Sequence, residues 1–175
     1  LPILLGNHEH YGGNIDKTAK DLQKILDVPD CNTTLLNNSY EEYEGVNFIG
    51  GTLWTNYDNE NYDKMLVAKK AMSDYYVIDV GEPGSPDVDK LLPSDTVKRH
   101  NETLDYLDKT LPTLKGDTVV ITHHAPHKTS LSGDYVDDEI SANFCRYMQL
   151  LENHSNYQQI QGNPSKCLQM IMSRH

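Results

Sequence analysis

The run Thr118–Thr122 constrains the fold of this chain more than any other segment, because each of its five residues is β-branched. Such a run, with no polar residue alternating inside it, is typical of a strand buried on both faces of a sheet. A shorter apolar run at residues 3–5 ends at Gly6 and predicts a second buried central strand. With 175 residues, the chain is long enough for one domain built around these strands.

Apolar residues recur at helical spacing in two segments of the chain. The first segment begins after Asn14, a residue suited to capping a helix, and ends before Pro29. The second begins at a cap formed by Ser94 or Asp95 and ends before Pro112. The alternation of strand, helix and strand predicts a layered α/β architecture, in which ligands bind beyond the carboxyl ends of the strands.

The remaining segments give weaker patterns. Residues 39–43 and 46–50 are rich in strand-forming residues and are separated by a turn, so they predict a pair of strands. Residues 61–79 have mixed apolar spacing and precede the Gly- and Pro-rich break at 81–86, which predicts a long surface excursion. A further helix is expected from Ile140 onwards.

The charge balance restricts the class of partner. Fifteen basic and 26 acidic residues give a net charge of -11, so non-specific binding to nucleic acid or to an anionic membrane is disfavoured. No stretch approaches the ~20 apolar residues of a membrane span. Three widely spaced cysteines form neither a disulfide framework nor a zinc motif, which favours a reducing compartment and a cytoplasmic location. The sequence does not predict an oligomeric state.

The composition changes towards the carboxyl end of the chain. Residues 1–140 hold 12 basic and 25 acidic residues, whereas residues 141–175 hold 3 and 1. The chain also opens on an apolar strand that begins with Leu1 rather than with Met. We therefore expect residues 1–150 to form a domain that lacks its amino-terminal part, and residues 151–175 to be a divergent or truncated tail.

Polar side chains suited to metal and proton chemistry follow both predicted buried strands. Asn7 offers a neutral carbonyl oxygen as a metal ligand, and His8 can donate a proton at neutral pH. Glu9 is placed to orient an imidazole or raise its basicity. His123 leaves a rigid strand, which suits a nitrogen ligand at ~2.0 to 2.1 Å from a metal. His124 points the other way if the strand geometry persists.

A family resemblance rests on these segments. Residues 3–9, Ile-Leu-Leu-Gly-Asn-His-Glu, and residues 119–126, Val-Val-Ile-Thr-His-His-Ala-Pro, resemble two signature blocks of the calcineurin-like metallophosphoesterases. Residues 50–55 resemble a further segment of the small bacterial and phage members of that family. The resemblance covers roughly residues 1–150. It implies a partial αββα fold, which is a layered β-sandwich flanked by helices.

The resemblance also implies an activity, namely the hydrolysis of a phosphate mono- or diester. Two divalent ions, manganese, iron or zinc, would lie ~3.5 to 4 Å apart and activate a bridging hydroxide. Asn7 and His123 would bind the second ion, with His124 nearby as a further metal candidate. His8 would contact the phosphate and assist the leaving group. Glu9 is a second catalytic candidate because of the carboxylate chemistry described above, and the resemblance assigns it no role. Bound metal would offset the acidic surface for a phosphate ester substrate.

The chain departs from the family pattern at both ends. The family has an Asp-x-His block and a Gly-Asp block upstream of the first segment, and a Gly-His-x-His block near its end; this sequence has no residues before Leu1 to supply the first two, and no Gly-His-x-His follows His127. One alternative is therefore a catalytically inactive remnant with a structural or binding role. Another is a mononuclear zinc hydrolase that uses His8 and His10 as paired ligands.

Other histidines and aromatic residues are more simply explained by packing or by exposure to solvent. His10 and His127 are expected in loops, and His100 is expected on the solvated face of a helix. Tyr40 and Trp54 stand at strand positions where aromatic residues usually pack.

Overall fold

A computed structural model describes residues 1–126 and the backbone of two strands in the tail, and these elements form a mixed α/β fold. The described strands are β1 (Pro2–Ile3), β2 (Thr34–Leu35), β3 (Ser39–Tyr43), β4 (Val46–Gly51), β5 (Asp79–Val80), β6 (Asp89–Lys90), β7 (Thr118–Thr122), β8 (Tyr157–Ile160) and β9 (Gln169–Ser173). The described helices are α1 (Ile15–Leu26), α2 (Tyr57–Glu60), α3 (Tyr62–Ala71), α4 (Asp74–Val77) and α5 (Pro93–Thr110), with 3-10 turns at His8–His10 and Leu111–Thr113.

The largest described sheet has five strands in the order β3-β4-β7-β9-β8. Strands β4 and β7 run parallel, and the other neighbouring pairs run antiparallel. The predicted strand pair is confirmed as β3 and β4, although β4 extends one residue further, to Gly51. The predicted buried strand is confirmed as β7, whose residues are all buried.

Both faces of β7 are covered by apolar side chains. Val120 packs on one face with Ile49 of β4 and Leu107 of α5. Val119 and Ile121 pack on the opposite face in a cluster with Leu36. Because β7 is packed on both faces, the position of the backbone that leads into the following residues is fixed.

The first apolar run, at residues 3–5, was predicted as a buried central strand, and this prediction is only partly correct. Strand β1 is limited to Pro2–Ile3, is partly buried and pairs in parallel with β2 rather than with the large sheet. Leu5 is buried, but its carbonyl oxygen accepts a hydrogen bond from the Thr52 hydroxyl at 2.9 Å instead of from a strand partner. An apolar run shows that a segment is buried but does not show which strand it pairs with.

Helix α1 confirms the prediction for its region. The Asn14 side-chain oxygen accepts hydrogen bonds from the backbone N–H of Asp16 and Lys17, at 3.0 and 3.1 Å. These bonds satisfy two of the donors that every helix start leaves without a partner.

Helix α5 is also present, but the predicted cap is wrong. The cap position is Leu92, and the helix begins at Pro93, whose fixed φ suits a first helical residue. Asp95 acts from the third helical position, where its carboxylate accepts a hydrogen bond from the Leu92 N–H at 2.8 Å. Ser94 is therefore inside the helix.

The prediction of a surface excursion at residues 61–79 is only partly correct, because most of these residues are exposed but the segment is helical and packs on the core. Helices α3 and α4 form there, and Ala68, Tyr75 and Ile78 are buried in one apolar cluster with Trp54. The pattern was irregular because two separate helices follow each other, so no single helical period spans the segment.

The turn α2, which leads into α3, has an unusual backbone. Its four residues have φ between 51° and 61°, which makes it a single left-handed turn. Tyr57 at its start is fully buried among the same apolar residues. A left-handed turn costs roughly 1 to 2 kcal/mol per residue, so this burial helps to hold it.

His100 was predicted to be solvated, and this is wrong because it is only 3% exposed. Val97, His100, Thr103 and Leu107 lie on the buried face of α5 at intervals of three or four residues. The His100 Nδ1–H donates to the Trp54 carbonyl oxygen at 2.5 Å, and burial lowers the pKa of the ring.

Some predictions fall on residues whose structure is not described, namely the helix from Ile140, the position of His127 and most of the tail. Within the tail, β9 pairs with β7 and β8 pairs with β9. In the described part of the chain, no helix combines the length and the apolar character that crossing a membrane requires.

Candidate functional site

Two polar segments that are distant in sequence meet at one place in the structure. One is the turn after β1, and the other follows β7. Asn7 Oδ1 and His123 Nε2 lie 3.0 Å apart, although 116 positions separate the two residues in sequence. The structure therefore brings together Asn7 and His123, two of the three residues for which metal binding was predicted, even though β1 and β7 belong to different sheets.

Gly6 makes this approach possible. A Cβ atom at Gly6 would stand 2.3 Å from His123 Cε1 and 2.6 Å from both ring nitrogens. These distances are far below a normal contact of ~3.5 to 4.0 Å, so the imidazole packs directly on the Gly6 backbone. Glycine is required here for space, because any larger residue would displace the His123 ring.

The orientation of the Asn7 amide is fixed from its other end. Asn7 Nδ2 donates to Asp74 Oδ1 at 2.7 Å, which leaves Asn7 Oδ1 facing His123. The Tyr11 hydroxyl donates to the second oxygen of Asp74 at 3.1 Å. Asp74 is 3% exposed and starts helix α4. The environment of Tyr11, first its burial and then the Asp74 carboxylate, raises its pKa to about 12, so the hydroxyl stays protonated.

Asp74 was not identified from the sequence. It follows Ser73 in a segment that was predicted to lie on the surface, where an Asp most often caps a helix. The sequence offered one signal for a buried Asp74, namely that apolar residues, Tyr75 and Ile78, follow it closely. The structure shows that all three residues are buried. Its contact with Asn7 joins positions 67 residues apart, and no local pattern predicts such a contact.

The His123 ring is in an environment that favours its neutral form. Burial lowers the pKa of His123, and the carboxylates of Glu9 and Asp74 partly oppose that shift. A neutral imidazole has a lone pair on one ring nitrogen, which is the form that binds a metal. In the structure as it stands, an Nε2–H would donate to Asn7 Oδ1.

His8 and Glu9 lie in the exposed part of the same turn. The His8 ring lies against Tyr11, with 4.6 Å between ring centres. Glu9 Oε2 accepts a hydrogen bond from the Gly6 N–H at 2.6 Å, so its carboxylate stabilises the turn that holds Asn7. Glu9 also acts on His123 through its charge, in the direction predicted for a carboxylate that raises imidazole basicity.

His124 lies beside His123 but has different neighbours. Its ring centre is 4.9 Å from that of His123 and 5.3 Å from that of Trp54. The His124 N–H donates to the Thr52 carbonyl oxygen at 3.1 Å. Burial of the ring, followed by the charge of His123, lowers the pKa of His124 to about 3. A metal role for His124 stays a prediction, and its ring lies close to the rings of both His123 and Trp54.

His10 was expected in a loop, and it is instead a buried residue of a 3-10 turn, 3% exposed. Its ring centre is 6.1 Å from that of Trp54. Burial and the nearby Arg99 guanidinium lower the pKa of His10 to about 4. His8 and His10 thus lie on opposite sides of the turn, one exposed against Tyr11 and the other buried against Trp54.

A cleft of about 470 Å³ lies beside this turn. His10, Thr52 and Trp54 line it on the side of the turn, and Asp16 and Arg99 contribute an ion pair with 2.6 Å between Nη2 and Oδ1. Asn7, His8 and His123 do not line the cleft, so the candidate metal ligands lie outside it.

The described residues provide fewer side-chain metal ligands than a complete two-metal centre needs. Over residues 1–126 and the two tail strands, no group of three or more His, Cys, Asp or Glu side chains is placed to hold an ion. Asn7 and His123 form a pair of donors, one amide and one imidazole. A two-metal site needs carboxylate or imidazole ligands beyond this pair.

The chain is similar to uncharacterized protein L509 of Acanthamoeba polyphaga mimivirus, with 30% identity over 140 residues. The match covers 76% of this chain and 48% of the viral protein, so the chain spans about half the length of that relative. No protein-family profile matches the sequence, and no solved structure matches it.

Proposed function

We propose that the protein is a metal-dependent phosphoesterase that hydrolyses a phosphate mono- or diester, with Asn7 and His123 bound to one ion of a two-metal centre. The observation that carries the proposal is the 3.0 Å distance between Asn7 Oδ1 and His123 Nε2. The resemblance of residues 3–9 and 119–126 to metallophosphoesterase blocks supports it. The corresponding fold would be the αββα sandwich, and a cytoplasmic location goes with the proposal.

The spacing of the two donor atoms suits a shared ion. Two donors at ~2.1 Å from one ion, and at right angles to each other, stand ~3.0 Å apart. Asn7 and His123 are both neutral donors, so they leave the positive charge of an ion available for phosphate oxygens. Mixed nitrogen and oxygen donors are compatible with manganese, iron or zinc.

The chemistry divides between bound metal and side chains. Two divalent ions, when bound, supply a hydroxide nucleophile at neutral pH and stabilise charge on the phosphate. His8 stands next to Asn7 in an exposed position, where a phosphate ester can reach it. An imidazole there can hold a proton at Nδ1 or Nε2 and give it to the departing alkoxide. Glu9 keeps the turn closed through its bond to the Gly6 N–H.

The proposal requires more metal ligands than the described residues provide. The same shortage favours a second candidate, which is a catalytically inactive metallophosphoesterase relative with a structural or binding role. Metal binding and turnover distinguish the two candidates, because the second predicts little metal and no hydrolysis.

The test compares four proteins for manganese, iron and zinc content and for hydrolysis of nitrophenyl phosphate mono- and diesters. Wild type is expected to bind metal and hydrolyse an ester. Asn7→Ala should lose both bound metal and activity. His8→Gln should keep its metal, but its rate of hydrolysis should fall ~10²- to 10⁴-fold. Asn101→Ala, at an exposed position of α5, is the matched control and should retain both.

Each other outcome points to a different conclusion. Wild type that binds no metal would overturn the phosphoesterase proposal. Metal binding with no hydrolysis of either ester would favour the inactive relative. If Asn7→Ala left both zinc content and ester hydrolysis unchanged, a mononuclear zinc hydrolase would be the better explanation.

A further inference from the structure

Asp74 is a buried carboxylate, and its two side-chain hydrogen-bond partners among residues 1–126 are both neutral. It is 3% exposed, and its oxygens accept hydrogen bonds from the Asn7 amide at 2.7 Å and from the Tyr11 hydroxyl at 3.1 Å. Burying a carboxylate is unfavourable unless it is well hydrogen-bonded. Neither partner supplies a full positive charge, so Asp74 is held by hydrogen bonds to neutral groups and not by an ion pair.

We propose that Asp74 is a positioning residue for the metal centre, because it fixes the Asn7 amide with its oxygen towards the ion that Asn7 and His123 share. This inference rests on the proposed phosphoesterase function. Asp74 does not touch the ion or the substrate in this proposal, and it acts through Asn7.

The chemistry of the amide explains why such a residue is needed. An Asn side chain can rotate by half a turn with almost no change of shape, which exchanges its oxygen for its NH₂ group. A carboxylate can only accept hydrogen bonds, so it selects the orientation in which Nδ2 faces Asp74. The Asn7 oxygen then faces His123 Nε2. With the opposite orientation, two N–H groups would point at the cation.

The same contact improves the oxygen as a ligand. A hydrogen bond from Nδ2 to a carboxylate is charge-assisted and draws electron density through the amide towards its oxygen. Partners of this outer kind orient metal ligands, and removing one typically weakens metal binding ~10- to 100-fold.

The surroundings hold Asp74 in place. It begins α4, and the next residue, Tyr75, is buried in the apolar cluster that also contains Ile78. Tyr11 binds the second carboxylate oxygen, and its ring lies against that of His8. The Asp74 carboxylate thus binds both the candidate metal ligand Asn7 and Tyr11, the residue that packs against the candidate proton donor His8.

The first test measures manganese binding by calorimetry in wild type, Asp74→Asn, Tyr11→Phe and Asp63→Asn. Asp74→Asn keeps the size but removes the charge, and its affinity is expected to fall ~10- to 100-fold. Tyr11→Phe leaves the carboxylate in place and should weaken binding less than Asp74→Asn. Asp63→Asn, an exposed Asp in the first turn of α3, is the matched control and should bind like wild type.

The second test needs no metal, and it also covers the case in which Asp74→Asn does not fold. The two side-chain N–H resonances of Asn7 are recorded by NMR in the metal-free wild type. A bond to a carboxylate should shift one of them downfield and slow its exchange with solvent. An Asn7 amide with ordinary shifts and fast exchange would overturn the inference.

The outcomes separate this inference from the function on which it rests. If wild type binds manganese and Asp74→Asn binds it equally tightly, the role of Asp74 is overturned and the phosphoesterase proposal stands. If wild type binds no metal, both are overturned. A loss of affinity in Asp74→Asn, with a urea midpoint close to that of Asp63→Asn, supports the positioning role.

Discussion

Replacing Gly6 with alanine tests the packing that brings Asn7 and His123 together. The added Cβ would stand 2.3 Å from His123 Cε1. A normal carbon contact is at least ~3.5 Å, so the ring must retreat by roughly 1.2 Å. The distance between Asn7 Oδ1 and His123 Nε2 is 3.0 Å. If the ring retreats by this amount away from Asn7, the distance between the two atoms exceeds the ~3.5 Å limit of a hydrogen bond.

The expected cost of Gly6→Ala follows from that displacement. Overpacking of this kind typically costs about 1 to 3 kcal/mol in the free energy of unfolding. Displacing a ligand by about 1 Å should also weaken manganese binding by at least ~10-fold, which corresponds to ~1.4 kcal/mol. Urea unfolding of the metal-free protein measures the first quantity, and calorimetric titration with manganese measures the second.

Gly13→Ala is the matched control for this experiment. Its added Cβ would meet the His10 carbonyl oxygen and Thr18 Oγ1 at 3.5 Å, which is an ordinary contact, so stability should change by less than ~1 kcal/mol. Combining Gly6→Ala with His123→Ala removes the clashing ring, and the stability cost of the Gly6 change should then largely disappear. If Gly6→Ala costs no more stability than Gly13→Ala, or if the cost persists without the His123 ring, then Gly6 is not required to make room for His123.

Three further predictions concern the fold. Asn14→Ala should lower the free energy of unfolding by about 1 kcal/mol, because the α1 cap bonds to Asp16 and Lys17 are lost; an unchanged urea midpoint would contradict this. Asn47→Ala should cost about 1 to 3 kcal/mol in the same assay, since its buried amide donates to the Lys115 carbonyl oxygen at 2.9 Å. Because the pKa of His10 falls from 6.5 to about 4 on folding, the unfolded chain binds more protons between these pH values. The free energy of unfolding of the metal-free protein should therefore fall as pH falls from 6.5 towards 4. In His10→Gln, the change of this free energy with pH should be smaller by about 1 kcal/mol per pH unit. The same pH dependence in wild type and His10→Gln would be inconsistent with a buried neutral His10.

The sequence predicted those elements whose pattern is decided locally. Strand β7 is β-branched at every position, and α1 has a capping Asn14 followed by an apolar stripe, so each was predicted close to its observed position. The start of α5 was misplaced because Pro93, the first helical residue, fixes the boundary more strongly than the polar residues after it. The pairing of β1 with β2 was not predictable, because an apolar run does not encode its partner.

In the candidate site too, the residues marked by a local sequence pattern were predicted, and those whose surroundings come from distant parts of the chain were not. Asn7 and His123 were identified because each stands at the end of an apolar run, where the chemistry of a polar residue is conspicuous. Asp74 was missed, and His100 of the core was wrongly expected to be solvated, because the burial of both is created by distant residues. His100 did stand at helical spacing from Val97 and Leu107, and this spacing was the available signal for its burial.

The most direct test of the central claim is a crystal structure of the protein soaked with manganese, with anomalous diffraction recorded at the metal's absorption edge. We expect an anomalous peak within ~2.0 to 2.2 Å of both Asn7 Oδ1 and His123 Nε2, with Asn7 Nδ2 still bonded to Asp74. A fully soaked crystal with no peak between Asn7 and His123, or with manganese only at other positions, would contradict it.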